Sequence, residues 1–281
     1  MKIKYYGTAA AEGFPGMFCS CEVCEKARAL GGRNIRTRSQ TLIDGKLLID
    51  FSADTYMHVI NYGLDLRKVE AVLITHSHDD HLYPPDFLYR KPGYAYFPDL
   101  PDGKPTAVPI YSSHITGEAV RHLIADTELD ECGAFRWEKL SPYKPAKVLD
   151  YTVTALEANH AKQLDPFIYI IQKGDSTLFY GHDSGYYSQR VWDYLETAKP
   201  YFNFVSLDCT GILQPYRDGH MGVEACSDVR ERFLALGVAD EKTVFCLHHF
   251  SHNGGLVHDD LVPLAHAQGF RVSYDTAEYE F

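Results

Sequence analysis

Apolar and polar positions alternate along the chain in a pattern that predicts many short strands and a smaller number of helices. Strand-like segments in the first half are 2–7, 39–43, 46–50, 71–75 and 109–111. Those in the second half are 147–157, 167–172, 176–180, 204–208, 243–247 and 271–274. Helical spacing marks 54–62, 116–124, 222–236 and 259–268. Because strand-rich and helical stretches alternate twice, we expect an α+β protein with two sheets packed face to face and helices outside.

The region 83–104 departs from this periodicity. Tyr83-Pro84-Pro85 is expected to break any regular element, and Tyr89 to Lys104 mixes aromatic residues with proline and glycine. Such a segment is too aromatic for a disordered linker, so we predict an ordered aromatic flap near 83–104. No linker, low-complexity tract or short repeat interrupts the chain, which predicts a single domain over 1–281.

Composition and charge narrow the class of protein. The 281 residues are 45% hydrophobic and 23% charged, as in an ordinary globular protein. The formal net charge of -11 makes nucleic acid an unlikely partner, because binding to the phosphate backbone needs a basic surface. The first residues lack the apolar core of a signal peptide, and no apolar run reaches membrane-spanning length. We therefore expect a cytoplasmic protein with no membrane partner.

A cluster of imidazole and carboxylate groups follows the apolar run 71–75. It contains His76, His78, Asp80 and His81, at the carboxyl end of a predicted strand, where α/β folds commonly place chemistry. These ligand types suit Zn, Mn or Fe. The neighbouring Asp79 has no assigned role.

Three more ligand-type residues, His160, Asp183 and His249, also lie just past the ends of apolar strands. Strand ends in one sandwich meet at a common rim, so these residues can converge with the cluster. Five imidazoles and two carboxylates would suffice for two metal ions, with one carboxylate bridging. Two cations about 3.5–4 Å apart stabilise the attacking and leaving oxygens of a hydrolysis, which favours an anionic phosphoester.

Three cysteines crowd together at Cys19, Cys21 and Cys24, out of seven in the chain. In an unexported protein that close spacing indicates metal binding rather than disulfides. We expect a Cys-rich metal-binding loop at 13–24.

In these motifs the chain resembles the metallo-β-lactamase superfamily. The resemblance implies a four-layer αββα sandwich and a dinuclear centre. In that centre His76, His78 and His160 would hold one divalent ion and Asp80, His81 and His249 the other, with Asp183 bridging. The ions would be Zn or Mn. Gly13-Phe14-Pro15, the three cysteines and His252 are similar to the branch that contains the phosphoribosyl 1,2-cyclic phosphate phosphodiesterase of phosphonate breakdown. There, the counterparts of Cys19, Cys21, Cys24 and His252 form a structural zinc site.

The resemblance also implies catalytic roles for His220 and Asp80. His220 lies where phosphodiesterase members carry a histidine that can protonate the departing alkoxide. The implied function is hydrolysis of a small phosphodiester, cyclic or linear, by an enzyme for which a homodimer is an option. Alternatives are a quinone-cofactor biosynthesis-type protein, a tRNA-processing nuclease of the same superfamily, and a non-catalytic metal- or ligand-binding module.

Four further residues leave two interpretations open. Asp50 and Asp54 could brace the metal-bearing loop or cap a helix. Arg36 and Arg38 could contact a substrate phosphate or lie on a solvated strand. Their positions in the structure decide between these interpretations.

Overall fold

Two seven-stranded mixed sheets make up the core of the computed structural model, which describes residues 1–100, 103–129 and 131–281. The first sheet contains β1 (Lys2–Gly7), β2 (Gln40–Ile43), β3 (Leu47–Ile49), β4 (Ala71–Leu73), β5 (Val108–Ser112), β6 (Phe135–Lys139) and β14 (Glu278–Glu280). Its order is β14-β1-β2-β3-β4-β5-β6. Neighbours are antiparallel from β14 to β3 and parallel from β3 to β6.

The second sheet repeats this plan. Its strands are β7 (Pro145–Val148), β8 (Tyr151–Glu157), β9 (Phe167–Lys173), β10 (Ser176–Gly181), β11 (Phe204–Asp208), β12 (Val244–His248) and β13 (Phe270–Val272). Strands β7 to β10 are antiparallel, and β10 to β13 are parallel. The parallel strands of both sheets therefore bring their carboxyl ends to one edge of the molecule.

Helices cover the outer faces of both sheets. They are α1 (Glu22–Leu30), α2 (Thr55–Tyr62), α3 (His114–Asp126), α4 (Gln189–Ala198), α5 (Val223–Leu236) and α6 (His258–Ala267). Val120 and Ile124 of α3 pack with residues of the first sheet, together with α2. Trp192 of α4 and Phe233 of α5 pack on the second sheet, together with α1 and α6. The expected four-layer αββα sandwich is confirmed.

A hydrophobic core between the sheets joins the two halves of the chain. Tyr5 and Leu73 from the first sheet lie with Tyr169 and Phe204 from the second, and all four are fully buried. Burying a side chain of this size stabilises the fold by about 1.5–3 kcal/mol relative to leaving it exposed. Among the described residues, no helix combines the length and hydropathy needed to cross a bilayer.

Several predicted elements differ in the structure. The single strand expected over 147–157 is a hairpin, because Leu149 adopts a positive φ of 54° and reverses the chain without a glycine. The structure also contains α1, α4, β6 and β14, which the periodicity did not predict. The break expected at Tyr83-Pro84-Pro85 is wrong, because Pro84–Arg90 forms a 3₁₀ helix. Proline is tolerated at the start of a helix, where no N–H is needed.

Within the segment 83–104, residues 101 and 102 lie outside the described residues. The described part is tied to the first sheet through Arg90, which donates hydrogen bonds to the carbonyl oxygens of Ala134 (3.2 Å) and Thr106 (3.0 Å).

A buried hydrogen-bond network links α2 to the first sheet. The imidazole of His58 lies between Gln40 (Nδ1 to Oε1, 2.6 Å) and Thr37 (Nε2 to Oγ1, 2.8 Å). Gln40 in turn donates to the backbone oxygen of Asp50 (3.1 Å) and to Thr55 Oγ1 (2.8 Å). The network therefore fixes the turn that carries Asp50.

Acid should weaken the fold through His58. Burial, opposed only by the charge of Asp54, lowers the pKa of His58 to about 4 from its ordinary 6.5. The unfolded chain therefore binds more protons between pH 4 and 6.5, so this contribution to stability is complete above pH 6.5. It is lost as the pH falls towards 4, by about 3 kcal/mol. The free energy of unfolding, measured with urea at several pH values, should fall less steeply with decreasing pH for His58→Asn than for the wild type. Exposed His122→Asn is the control, and an unchanged slope in His58→Asn would contradict the assignment.

Candidate metal centre

Polar side chains gather where the parallel strands end. His76, His78, Asp80 and His81 follow β4, Asp183 follows β10, and His249 follows β12. His160 follows the end of β8. Strands β10, β11 and β12 are adjacent and parallel, so their ends lie side by side. The seven residues predicted as ligands are thus brought to one place.

The first set of donor atoms comes from His76, His78, His160 and Asp183. His76 Nε2 lies 2.9 Å from His78 Nδ1, and His160 Nε2 lies 3.2 Å from the same atom. Oδ2 of Asp183 is 3.0 Å from His76 Nε2 and 3.3 Å from His160 Nε2. All four donor atoms lie within 4.8 Å of one another and could hold a metal ion.

The second set is formed by Asp80, His81, His249 and, again, Asp183. His81 Nε2 lies 3.2 Å from Asp80 Oδ2, 3.2 Å from His249 Nε2 and 3.4 Å from Asp183 Oδ2. The same oxygen of Asp183 therefore faces both sets. All four members of this set are buried.

The spacing of these atoms fits tetrahedral coordination. Ligands bound at about 2.0–2.1 Å around one zinc ion are about 3.3 Å apart. The contacts above fall between 2.9 and 3.4 Å. Imidazole nitrogens and carboxylate oxygens at such distances are held together favourably when a cation lies between them. The donor set therefore fits a pair of divalent ions bridged by Asp183.

Most of the imidazoles have their other nitrogen fixed by a second contact. His81 Nδ1 lies 2.7 Å from Asp50 Oδ2, and His160 Nδ1 lies 3.1 Å from the carbonyl oxygen of Gly219. His249 Nδ1 lies 2.9 Å from Thr210 Oγ1. Such contacts select the tautomer and hold the ring in position for a metal.

Asp50 braces the metal-bearing loop, which is one of the two roles expected for it from the sequence. Its Oδ1 accepts hydrogen bonds from the N–H (2.8 Å) and hydroxyl (2.9 Å) of Thr75, immediately before His76. Asp54 instead pairs with Arg38 (Oδ1 to Nη1, 2.8 Å) and makes no side-chain cap on α2.

Left-handed backbone conformations occur at three residues of the centre. Asp50, Asp183 and His249 have φ values of 65°, 50° and 62°. Each follows a strand, and the reversed backbone lets the preceding residue point into the core. His182 and His248 accordingly stack between the sheets, with ring centroids 3.9 Å apart. These two histidines therefore point away from the metal residues that follow them.

Asp208, at the end of β11, was not predicted as a site residue. Its Oδ2 lies 3.3 Å from His249 Nδ1 and 3.4 Å from His220 Nδ1, and its Oδ1 accepts the N–H of Met221 (2.8 Å). The same pattern of a carboxylate past a buried strand, which identified Asp183, also applies to Asp208. Because His249 presents Nε2 to the second donor set, Asp208 acts on the opposite side of that ring.

His220 joins the centre through the other oxygen of Asp183, which lies 3.1 Å from His220 Nδ1. Burial disfavours a charge on His220, but hydrogen bonds to Asp183 and Asp208 outweigh this effect and raise its pKa to about 11. A metal ion on Asp183 would withdraw negative charge and bring this pKa down. The ring lines a cleft of about 310 Å³, together with His78 and Asp80.

Charge in the rest of the centre is balanced by close pairing. Burial opposes ionisation of Asp80, yet His81 and His249 hold its pKa well below the ordinary range. Burial also opposes a charge on His249, but Asp183 and Asp208 raise its pKa to about 9. These carboxylates therefore stay ionised and able to bind a cation.

The four residues predicted as a structural zinc site also come together. His252 Nδ1 lies 3.7 Å from Cys19 Sγ and 3.6 Å from Cys21 Sγ, and Cys24 completes a set within 4.8 Å. Sulfur and nitrogen on one tetrahedral zinc are about 3.6 Å apart. The N–H of Cys24 stabilises the thiolate of Cys21 and lowers its pKa to about 6. Cys24 lies on α1, so part of the predicted loop 13–24 is helical.

The two centres are connected by Glu12. His252 Nε2 lies 3.7 Å from Glu12 Oε1, which also accepts a hydrogen bond from Ser251 Oγ. Glu12 lines the same cleft as His220. One histidine thus faces the cysteine site with Nδ1 and the wall of the cleft with Nε2.

The two arginines have different surroundings. Arg36 is buried, with Nη1 donating to Thr8 Oγ1 (2.8 Å) and to the carbonyl oxygen of Ser273 (2.7 Å), so it does not face the cleft. Arg38 lines a neighbouring cavity with Asp79, which is exposed.

Replacing Asp50 should weaken metal binding. In Asp50→Asn an amide replaces the carboxylate that faces His81 Nδ1 at 2.7 Å, so the ring loses its charged partner. We expect zinc affinity of the dinuclear centre to fall by about 10–100-fold, measured by competition with a fluorescent chelator. Asp79→Asn, which changes a carboxylate with no contact to the donor sets, is the matched control. An equal loss in that variant would contradict the proposed ligand sets.

Comparison with known proteins adds three findings. Residues 46–250 match the model of the β-lactamase superfamily domain. A new diphosphatase from the PhnP family is 18% identical, with a TM-score of 0.74 over 100% of this chain and 97% of that chain. Zn²⁺-bound PqqB from Methylobacterium extorquens is 16% identical, with a TM-score of 0.72 and complete coverage of both chains.

The short form of human tRNase Z is 15% identical, with a TM-score of 0.63 over 100% of this chain and 99% of that chain. At these identities the similarity concerns the fold. No curated protein sequence matches the chain.

Proposed function

Because the chain belongs to the β-lactamase superfamily domain family, within the metallo-β-lactamase hydrolases, we propose that it is a dinuclear metal-dependent phosphodiesterase. The proposal rests on the position of Asp183. Its Oδ2 faces both donor sets, and its Oδ1 lies 3.1 Å from His220 Nδ1. One carboxylate thereby links two cation sites to a proton donor. Its substrate would be a small phosphate ester such as phosphoribosyl 1,2-cyclic phosphate.

The ions would be zinc or manganese, since imidazole and carboxylate accept both. His76, His78 and His160 would hold one, Asp80, His81 and His249 the other, with Asp183 shared. When bound, two such ions supply Lewis acidity towards phosphoryl oxygens and lower the pKa of water. Cys19, Cys21, Cys24 and His252 would hold a third ion, a structural zinc, in a closed tetrahedral set.

His220 has the geometry of a general acid. Its Nδ1 is directed at Asp183 and Asp208, which leaves Nε2 on the far edge of a ring that lines the cleft. The carboxylates keep the ring protonated, so Nε2–H can be given to the departing alkoxide. Asp208 holds the ring from behind, and Asp80 and Asp183 stay ionised throughout.

A phosphoester is favoured over other substrates by charge and by one structural neighbour. Cations at the base of the cleft attract an anionic group, and a neighbour with the same fold is a diphosphatase. The fold similarity to PqqB is nearly as high, so the argument rests on the site. A complete donor set together with His220 favours turnover over a binding module. The net charge of -11 continues to disfavour tRNA.

Leaving-group dependence tests the role of His220. In His220→Ala, hydrolysis of a phosphodiester with an alkoxide leaving group should fall by about 10²–10⁴-fold in kcat. A p-nitrophenolate leaving group needs no proton, so bis(p-nitrophenyl) phosphate should be affected far less. Metal content should stay unchanged, whereas Asp80→Ala should lose metal and activity towards both substrates. Equal losses with both leaving groups in His220→Ala would remove the general-acid role.

Absence of phosphodiester hydrolysis by the wild type, when fully loaded with either zinc or manganese, would contradict the proposed function itself. His122→Ala, at an exposed histidine of α3, is the control for both substrates.

The cysteine site is tested separately. Cys24→Ser should remove one metal equivalent per chain, leave two, and lower the melting temperature, because a structural zinc stabilises only the folded chain. Elemental analysis and thermal unfolding measure the two effects. Cys132→Ser, at a cysteine outside the four-residue set, should change neither, and full metal content in Cys24→Ser would exclude the site.

A further inference from the structure

A second cavity, which we call the middle cavity, adjoins the metal cleft. This middle cavity has a volume of about 540 Å³ and shares Ala11, His78 and Asp80 with the metal cleft. The two cavities therefore adjoin at Ala11, His78 and Asp80, next to the proposed metal ligands.

The middle cavity carries groups that suit a sugar phosphate. Arg38 lines it and is held in place by Asp54 (Nη1 to Oδ1, 2.8 Å) and by the carbonyl oxygen of Ala11 (Nε to O, 2.8 Å). Asp79 lines the same cavity. A guanidinium group binds phosphate oxygens, and a carboxylate accepts hydrogen bonds from hydroxyl groups.

Beyond the middle cavity lies an aromatic groove, which we define by Phe51, Tyr56, Val59, Tyr83 and Tyr89. It has a volume of about 690 Å³ and shares Ala53 and Tyr83 with the middle cavity. From the metal cleft to the aromatic groove, the lining residues therefore change from polar metal ligands to aromatic and aliphatic side chains.

The aromatic groove is packed against neighbouring aromatic rings on one side and open on the other. Phe51 packs edge-on against buried Phe87, with ring centroids 4.7 Å apart, and the ring of Tyr89 is held by Tyr94 at 5.7 Å. Tyr56 and Tyr89 are nevertheless 68% and 60% exposed. Flat aromatic surfaces that are positioned but uncovered are well suited to stacking on another planar ring.

We propose that the aromatic groove binds the base of a nucleoside phosphate ester whose phosphate lies at the metal centre and whose ribose lies beside Arg38 and Asp79. The inference rests on the proposed function and specifies its substrate class. A nucleoside ester carries a planar ring beyond its sugar that can stack on the aromatic side chains, whereas a bare sugar phosphate offers the aromatic groove nothing to bind. Tyr56 and Tyr89 then determine specificity and take no part in bond cleavage.

Binding of adenosine 5′-monophosphate to the metal-loaded protein tests the proposal without turnover. Calorimetry should give an affinity at least about 10-fold higher for this nucleotide than for inorganic phosphate, because the base adds its stacking on aromatic side chains to the binding of the phosphate. Tyr89→Ala and Tyr56→Ala should each remove most of that difference and leave phosphate affinity unchanged. Both side chains are largely exposed, so the variants should fold. Tyr96→Ala, at a tyrosine 83% exposed and outside the groove, is the matched control.

Turnover separates this proposal from the proposed function. The ratio of kcat/KM for thymidine 5′-p-nitrophenyl phosphate to that for methyl p-nitrophenyl phosphate should fall about 10-fold in Tyr89→Ala. Equal affinity of the wild type for the nucleotide and for phosphate would overturn the nucleotide site while leaving phosphodiester hydrolysis intact. If the wild type hydrolyses neither ester but its nucleotide binding still depends on Tyr89, the phosphodiesterase function is overturned and the nucleotide site is retained.

Discussion

The rest of the structure depends on how several buried donor groups are held about 3 Å apart. Oδ2 of Asp183, which is almost fully buried, lies within 3.4 Å of nitrogens on His76, His81 and His160. Bringing so many polar groups out of water costs several kcal/mol unless opposite charge satisfies them. Divalent cations meet that requirement, and the fold supplies the positions by ending parallel strands of two sheets along a single edge. Both sheets, the inter-sheet core and the bracing carboxylates serve to keep that set of atoms in place.

The donor sets do not act alone, because each is supported by a carboxylate outside it. Asp50 orients His81, and Asp208 orients both His249 and His220. Asp208 thereby connects the second donor set to the proposed proton donor. The cysteine site is connected as well, since His252 reaches Glu12 in the wall of the cleft. The donor sets, the proposed proton donor and the wall of the cleft are therefore parts of one hydrogen-bonded structure.

Sequence patterns predicted the sandwich and the convergence of the metal residues, because buried strands are strongly periodic and ligand-type residues stand out at their ends. They did not predict α1 or the hairpin turn at Leu149, where helix formation and a positive φ follow from tertiary contacts. Asp208 was overlooked although it shares with Asp183 the pattern of a carboxylate at the end of a buried strand. Arg36 and Arg38 could not be separated by sequence, since only packing decides which of two alternate arginines is buried.

The left-handed backbone at Asp50, Asp183 and His249 has a consequence for how such a centre can change over evolutionary time. Each of these residues is held in a conformation that costs an L-residue about 1 kcal/mol and that glycine adopts freely. While metals are bound, coordination compensates for this strain. In a descendant that no longer binds metal, glycine at position 249 would relieve backbone strain and remove a buried imidazole at once. The same substitution would leave the buried carboxylates of Asp80 and Asp208 without this imidazole, so the strained backbone at position 249 is kept by the charges that it brings together.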